Sequence, residues 1–272
     1  MRAIITGVAT DTYHNTATGI ERTVLVNVLN TVLLALLTIP ILHINARKHN
    51  ISPTLTIVSS DVHAWTPFPE RKYLSPSPTA EQPSLLSILS DPQKTIMSER
   101  YAVTKLLELF SVISMTQAPN DLSYSKSTKT SLTINACTPG FCHSNLARDF
   151  NSRTSPLFSI DTFKRGLATI VKALIARSTE QGARTLVHAG LSGRDTNGKF
   201  LADCRVTEMA SLITGNVDGA ELESRKGTGA REETGGMDIR GERLRELCWG
   251  EIKGWCEGVI PGVWERATGV ST

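Results

Sequence analysis

An alternation of short apolar runs with longer stretches of helical spacing constrains the fold of this 272-residue chain more than any other feature. The apolar runs cover residues 3–9, 55–60 and 132–137, and each has the length of a strand. Apolar residues recur at helical spacing over 19–48 and 98–115. Because strands that are joined by helices pair in parallel and are covered on both faces, the sequence predicts an α/β fold with a doubly wound parallel sheet.

The second half of the chain continues this pattern and then changes in character. It predicts two helices, a last strand and a terminal helix, over residues 161–177, 180–191, 200–206 and 244–255. Residues 214–241 are rich in glycine and charge and have no hydrophobic period, so we predict a disordered insertion there. No internal repeat is visible, and we expect a single domain over residues 1–272.

Composition and charge exclude several classes of protein. A net charge of +3 with 20% charged residues is ordinary for a globular domain and does not suit a nucleic-acid binder. The five cysteines form no C-x-x-C pair and no zinc-finger spacing, so we predict free thiols in a reducing compartment and no metal site. The apolar run at the N-terminus is too short for a signal peptide, which favours a cytoplasmic protein.

Residues 24–44 are long enough and apolar enough to cross a bilayer. The segment nevertheless contains polar residues and a proline, namely Asn27, Asn30, Thr31, Thr38, Pro40 and His43. Because polar groups are expensive in hydrocarbon, we expect a helix buried in the protein or at a subunit interface and no stable membrane span. Pro40 is expected to kink or shorten the end of this helix. Membrane attachment through the segment is the alternative.

A candidate site lies where three predicted elements meet. Tyr101 and Lys105 are four residues apart, so both stand on one face of their helix, one turn from each other. One predicted strand ends at Ser60 and another at Pro139 and Gly140, and carboxyl ends of parallel strands open on one edge, where ligands bind. Tyrosine has a pKa near ~10, and we expect the positive charge of Lys105 to lower the pKa of Tyr101.

These residues, in this order, resemble the active-site motifs of the short-chain dehydrogenase/reductase family. The matching segments are residues 56–60, 101–105 and 135–140 with Ser144, and residues 26–28 are similar to the family's helical Asn motif. Residues 140–144 and 184–189 are similar to fungal members of the retinol-dehydrogenase type. The resemblance covers about residues 7–206 and implies the C-terminal portion of that family's Rossmann-like fold.

The resemblance also implies a role for each matching residue. Tyr101 would be the general acid/base, and Lys105 would favour its ionised form and bind the nicotinamide ribose. Ser60 would hold the substrate carbonyl oxygen, with Ser59 as the alternative if the register is shifted by one residue. Asn27 would keep a water molecule behind Lys105. The remaining cofactor-binding residues would be Gly7, Pro139, Gly140 and Ser144.

The cofactor that the resemblance implies is NADP or NAD, with NADP slightly favoured. Residues 5–8 align with the family's fourth strand, and no T-G-x-x-x-G-x-G turn precedes them. We therefore expect an incomplete sheet that lacks the first βαβ elements. We also expect weak dinucleotide binding, because the backbone of that turn receives the cofactor's pyrophosphate.

Two functions follow from the resemblance. The first is an oxidoreductase that reduces a carbonyl or oxidises an alcohol on an apolar small molecule, as in secondary metabolism, with a pocket shaped by residues 61–92 and 141–158. The alternative is an inactive truncated remnant or an interaction protein. Helices 19–48 and 98–115 match the family's dimer contact, so the chain would pair through them with a second copy or with a full-length relative.

Overall fold

A five-stranded sheet forms the centre of the computed structural model, which describes residues 2–5, 7, 9, 12–75, 83–117, 121–126, 128–142, 177–207, 209–211, 215–216 and 241–269. Across the sheet the strands are β1 (Arg2–Ile5), β2 (Thr54–Val58), β5 (Thr133–Cys137), β6 (Phe200–Ala202) and β7 (Arg205–Thr207). The first four are parallel and β7 is antiparallel. Two small antiparallel pairs are β3 (Tyr124–Ser125) with β4 (Thr130–Ser131), and β8 (Ala210–Ser211) with β9 (Gly215–Asn216).

Helices connect the parallel strands, which confirms the predicted α/β fold. The connecting helices are α1 (Thr31–His49), α2 (Leu85–Leu89), α3 (Met97–Thr116) and α4 (Thr179–Leu191), and two further helices, α5 (Gly241–Val259) and α6 (Val263–Thr268), follow the last strand. A seven-residue π-helical turn, Val24–Asn30, leads directly into α1. The helix does not end at Pro40, which lies inside α1. The helix predicted over 161–177 lies outside the described residues, except for residue 177.

The two faces of the central sheet differ in chemistry. Alternate residues of β2 and β5 are fully buried in the main hydrophobic core with α1 and α3, namely Leu55, Ile57, Ile134 and Ala136. On the other face Thr56 Oγ1 donates to Asn135 Oδ1 at 2.8 Å, and Asn135 Nδ2 donates to the carbonyl oxygen of Ala189 in α4 at 3.0 Å. Both faces are therefore covered by helices, one through apolar packing and the other partly through buried hydrogen bonds.

The terminal helix α5 packs across α3, the helix that carries Tyr101. Every residue of α3 from 103 to 115 is buried. The residues of α5 that enter the same core are Leu244, Cys248, Trp249, Ile252 and Cys256. Of the two helices predicted to form the pairing surface, α3 is thus covered by α5 of the same chain. Pairing itself stays a prediction.

The helical segment Val24–His49 is long and apolar enough to span a membrane by length and composition, and half of its most apolar window is buried inside the protein. Val32, Leu36 and Ile39 are fully buried in the main core. On the opposite side, Leu34 and Ile41 are each 50% exposed. The helix therefore packs against the sheet with one face, as the sequence predicted, and presents apolar side chains on the other.

One sequence prediction, the strand over 200–206, needs correction, and another, the insertion over 214–241, falls largely outside the described residues. The strand predicted over 200–206 is the β6–β7 hairpin, because Asp203 and Cys204 both adopt positive φ and reverse the chain. Within the predicted insertion 214–241, residues 215–216 form β9 and residues 217–240 lie outside the described residues. The five cysteines are free thiols, as predicted.

Candidate active site

Ser60, Tyr101 and Lys105 come together at the carboxyl end of the parallel strands. β2 ends at Val58, so Ser60 stands just beyond the edge of the sheet. Tyr101 and Lys105 lie one turn apart on α3, with the ammonium nitrogen 5.6 Å from the centre of the tyrosine ring. The side chain of Ser60 lies close enough to Tyr101 to act on the pKa of its phenol. The structure thus brings the predicted hydroxyl, phenol and ammonium into one cluster, and their roles remain predictions.

The neighbouring serine, Ser59, faces a different direction. Its backbone N–H donates to the carbonyl oxygen of Cys137 at 2.7 Å, which continues the pairing of β2 with β5. Its hydroxyl donates to the backbone carbonyl oxygen of Lys105 at 3.1 Å, and the residue is buried. Of the two serines that the sequence offered, Ser60 is therefore the one beside the phenol of Tyr101.

Burial raises the pKa of Tyr101 above its ordinary value and is the largest influence on it. Lys105 acts against this rise by attraction, Glu108 adds to it by repulsion, and the nearby Ser60 side chain lowers the pKa. Lys105 therefore acts in the expected direction, but burial in a low dielectric outweighs its charge, which Glu108 partly offsets. In this state Tyr101 is a neutral phenol at neutral pH.

The ammonium group of Lys105 is bound inside the protein. Its Nζ donates to the carbonyl oxygen of Val58 at 2.9 Å and to the two carboxylate oxygens of Glu108 at 2.9 and 3.1 Å. Its side chain is only 3% exposed. These contacts match the three N–H donors of an ammonium group, so a bond from Lys105 to a ribose hydroxyl would have to replace one of them.

Glu108 is a site residue that the sequence reasoning missed. It lies three residues after Lys105, is buried, and has its pKa raised by burial to about 7, against the lowering effects of Lys105 and the Ser59 hydroxyl. The spacing of three residues was the available signal, since such residues are neighbours on a helix surface. Spacing does not say that this carboxyl group turns toward the sheet and binds the ammonium.

Gly7 and Asn27 lie against each other behind this cluster. A Cβ atom on Gly7 would stand 2.2 Å from Asn27 Oδ1, so a side chain cannot replace the hydrogen at this position without displacing the amide. Asn27 Nδ2 donates to Thr104 Oγ1 at 3.1 Å, and Asn27 is fully buried in the π-helical turn. The structure therefore places Asn27 beside α3 through Thr104, the residue before Lys105.

The end of β5 completes this edge of the sheet. Thr138 Oγ1 accepts from the backbone N–H of Gly140 at 3.0 Å and donates to Asp61 Oδ2 at 3.3 Å, which ties the segment after β5 to the segment after β2. Gly140 has a φ of +70°, a left-handed conformation that favours glycine. Pro139 precedes this turn and is half-buried. Ser144 lies outside the described residues.

A buried charge cluster fixes the first turn of α3, directly before Tyr101. Arg100 is fully buried, with its guanidinium nitrogens 3.7 Å from Glu21 Oε2 and 3.4 Å from Glu70 Oε1. Arg100 Nη2 also donates to the carbonyl oxygen of Leu89 in α2 at 2.8 Å. The cluster joins the start of the long helical segment, the loop after β2, and α2 to the beginning of α3.

The donor set at this edge fits the reactive end of a nicotinamide cofactor in its chemistry. Two hydroxyl groups, on Ser60 and Tyr101, lie near each other, as needed to bind the oxygen of a carbonyl substrate. The adjacent strand ends in the turn at Pro139 and Gly140, which were predicted to lie along the cofactor. Lys105 departs from the expectation, because its ammonium is already bound to Glu108.

Comparison with known proteins finds relatives of this chain, although no family model matches it. The short chain dehydrogenase/reductase dmxR8 of Cryptosporiopsis sp. is 34% identical over 80% of the chain, and the short chain dehydrogenase atnD of Emericella nidulans is 36% identical over 67%. The short-chain dehydrogenase anuD of Penicillium roqueforti is 32% identical over 70%. The chain spans 60%, 52% and 44% of the lengths of these three relatives.

Proposed function

Because the chain belongs to the short-chain dehydrogenase/reductase family, we propose that it transfers a hydride between a nicotinamide cofactor and an apolar small molecule, reducing a carbonyl or oxidising an alcohol. The observation that carries the proposal is the cluster of Ser60, Tyr101 and Lys105 at the carboxyl end of β2. Relatives that are named short chain dehydrogenases support it.

In the reducing direction the protein's own residues bind and protonate the substrate oxygen. The Ser60 hydroxyl donates a hydrogen bond to the carbonyl oxygen and Tyr101 donates its phenolic proton to it, so the oxygen becomes a hydroxyl and Tyr101 a phenolate. The cofactor, when bound, supplies the hydride that adds to the carbonyl carbon. In the oxidising direction the phenolate accepts the alcohol proton.

The electrostatics of Tyr101 support reduction as the direction at neutral pH. Burial raises the pKa of Tyr101, so the phenol keeps the proton that reduction requires. Oxidation would require the phenolate and is therefore expected to become faster as the pH rises. We further propose NADP over NAD, which rests on the family resemblance alone.

The proposal is tested by titrating the purified chain with NADPH and NADH and then assaying it with apolar ketones and aldehydes. Binding is expected, and Tyr101→Phe should lower turnover by at least about 10²-fold because it removes the proton donor while leaving the ring in place. Tyr124→Phe is the matched control, since Tyr124 is exposed on β3 and should retain full activity.

Two results would contradict the proposal. The first is the absence of binding by either dinucleotide at about 1 mM, the range of very weak complexes. The second is a Tyr101→Phe variant as active as the wild-type protein, which would remove Tyr101 from the chemistry.

A further inference from the structure

Glu108 is a buried ionisable group that the proton transfer described above does not use. Its side chain is 1% exposed, and both of its oxygens lie within hydrogen-bond distance of Lys105 Nζ, at 2.9 and 3.1 Å. Burial of an ion pair is unfavourable unless the geometry is good and the remaining donors are satisfied. The third N–H of the Lys105 ammonium donates to the carbonyl oxygen of Val58, so every donor of the ammonium group has an acceptor.

The ion pair of Lys105 with Glu108 determines how much positive charge Tyr101 experiences. The ammonium of Lys105 is 5.6 Å from the centre of the Tyr101 ring, and an uncompensated charge at that range favours the phenolate. With Glu108 ionised, its negative charge partly offsets the positive charge of Lys105 at Tyr101. With Glu108 protonated, the positive charge of Lys105 acts alone.

We propose that Glu108 is a positioning residue that holds Lys105 against the end of β2 and, by its own charge state, controls how readily Tyr101 releases its proton. The inference rests on the proposed function for its catalytic meaning. The electrostatic coupling among Glu108, Lys105 and Tyr101 does not rest on that function, because the three groups interact whether or not the chain turns over a substrate.

Among the described residues, the other groups in contact with Glu108 and Lys105 carry no charge. Asp61 and His63, in the segment 61–64 that packs on α3, are not among the groups that shift the pKa of Glu108 or Tyr101. From β2 the neighbouring groups are the hydroxyl of Ser59 and the carbonyl oxygen of Val58, which carry no charge. From β5 the ionisable group near Lys105 is Cys137, and burial raises its pKa to about 12, so the thiol is neutral. The π-helical turn that packs on α3 contributes Asn27, which is also uncharged.

The coupling has a defined pH dependence. Burial raises the pKa of Glu108 to about 7, which lies above its ordinary value. Below about pH 7 the carboxyl group takes up a proton, Lys105 becomes uncompensated, and the phenolate form of Tyr101 is favoured. Above that pH the ion pair is neutral overall and Tyr101 holds its proton more firmly.

The test is an ultraviolet titration of tyrosinate in the full chain without cofactor or substrate. The chain has four tyrosines, so the Tyr101 signal is obtained as the difference between each protein and its Tyr101→Phe counterpart. Glu108→Gln is expected to lower the pKa of Tyr101 by about one pH unit, because it removes the charge that offsets Lys105 and keeps the shape of the side chain. Glu108→Asp, which keeps the charge, should restore most of the wild-type value.

The control is Glu180→Gln. Glu180 forms an ion pair with Arg184 on α4, away from the site, and its loss should leave the titration of Tyr101 unchanged. An unchanged or higher pKa of Tyr101 in Glu108→Gln overturns the inference. A lowered pKa in a chain that binds no dinucleotide supports the charge coupling and contradicts the proposed function, so the two failures are distinguishable.

If Glu108→Gln does not fold, the double variant Lys105→Met with Glu108→Gln replaces the pair by neutral groups of similar size, a change that proteins often tolerate. Since the net charge of the pair is again zero, Tyr101 should titrate within about half a pH unit of the wild-type value. A displacement of more than about half a pH unit would overturn the inference.

Discussion

Gly7 illustrates, at the scale of a single residue, how the site depends on the absence of a side chain. A Cβ atom there would lie 2.2 Å from Asn27 Oδ1, well inside contact distance. We predict that Gly7→Ala pushes the Asn27 amide away from Thr104 and lowers the free energy of unfolding by about 1–3 kcal/mol, as overpacking does in other proteins. Urea unfolding followed by circular dichroism measures this loss.

Gly254→Ala is the matched control for that prediction. Gly254 lies inside α5, and a Cβ atom there would have no neighbour within 4 Å. Because alanine forms helix more readily than glycine, this variant should gain about 0.5–1 kcal/mol. Equal effects of the two substitutions would mean that the contact between Gly7 and Asn27 does not constrain the site.

The residues of the site could be predicted from the sequence only in part. Tyr101, Lys105 and Ser60 follow from helix spacing and from the ends of two predicted strands, and the structure brings them together. Glu108 and Arg100 could not be found this way. Both are charged residues on a helix, where a solvated position is the usual case, and only tertiary packing turns them inward.

At the scale of secondary-structure elements, Arg100 determines how α3 meets its neighbours. Its guanidinium contacts Glu21, Glu70 and the carbonyl end of α2 at Leu89. We predict that Arg100→Met lowers the free energy of unfolding by about 3–5 kcal/mol, because it leaves two buried carboxylates without their common partner. It should also reduce any turnover that the chain has, since Tyr101 is the next residue.

The exposed ion pair on α4 is the control for Arg100. Arg184 and Glu180 are bonded at 2.8 Å, but their side chains are 66% and 79% exposed. Arg184→Met should therefore leave the urea midpoint almost unchanged, because solvent already screens the pair. If Arg100→Met unfolds at the wild-type urea concentration, the buried cluster does not stabilise the beginning of α3.

The elements themselves were predictable where local signals are strong. Ser178 and Gln181 form a capping box at the start of α4, β5 lies within the apolar run 132–137, and β2 overlaps all but the end of the run 55–60. The π-helical turn Val24–Asn30 and the β6–β7 hairpin were not predicted. A π turn has almost the hydrophobic spacing of an α-helix, and Cys204, unlike Asp203, is an unusual residue for a left-handed turn.

At the scale of the whole molecule, the C-terminal helices change which surface is open to a partner. α5 packs across α3 and α6 packs against α1, so most of the predicted pairing surface is buried within one chain. An apolar stripe on α1 remains open, at spacings of three and four residues: Leu34, Leu37, Ile41 and Ile44. Insertion of the helix into a membrane would require the opposite face to leave the main core.

We therefore predict that a second copy of the chain covers the α1 stripe. Light scattering after gel filtration should give the mass of a dimer for the wild-type chain and that of a monomer for the double variant Leu34→Lys with Ile41→Lys, since two charges in an apolar contact are strongly unfavourable. The control pair Val187→Lys with Leu191→Lys introduces the same charges at exposed apolar positions on α4 and should remain dimeric. A monomeric wild-type chain contradicts pairing, and flotation of that monomer with lipid vesicles would identify the stripe as a membrane contact instead.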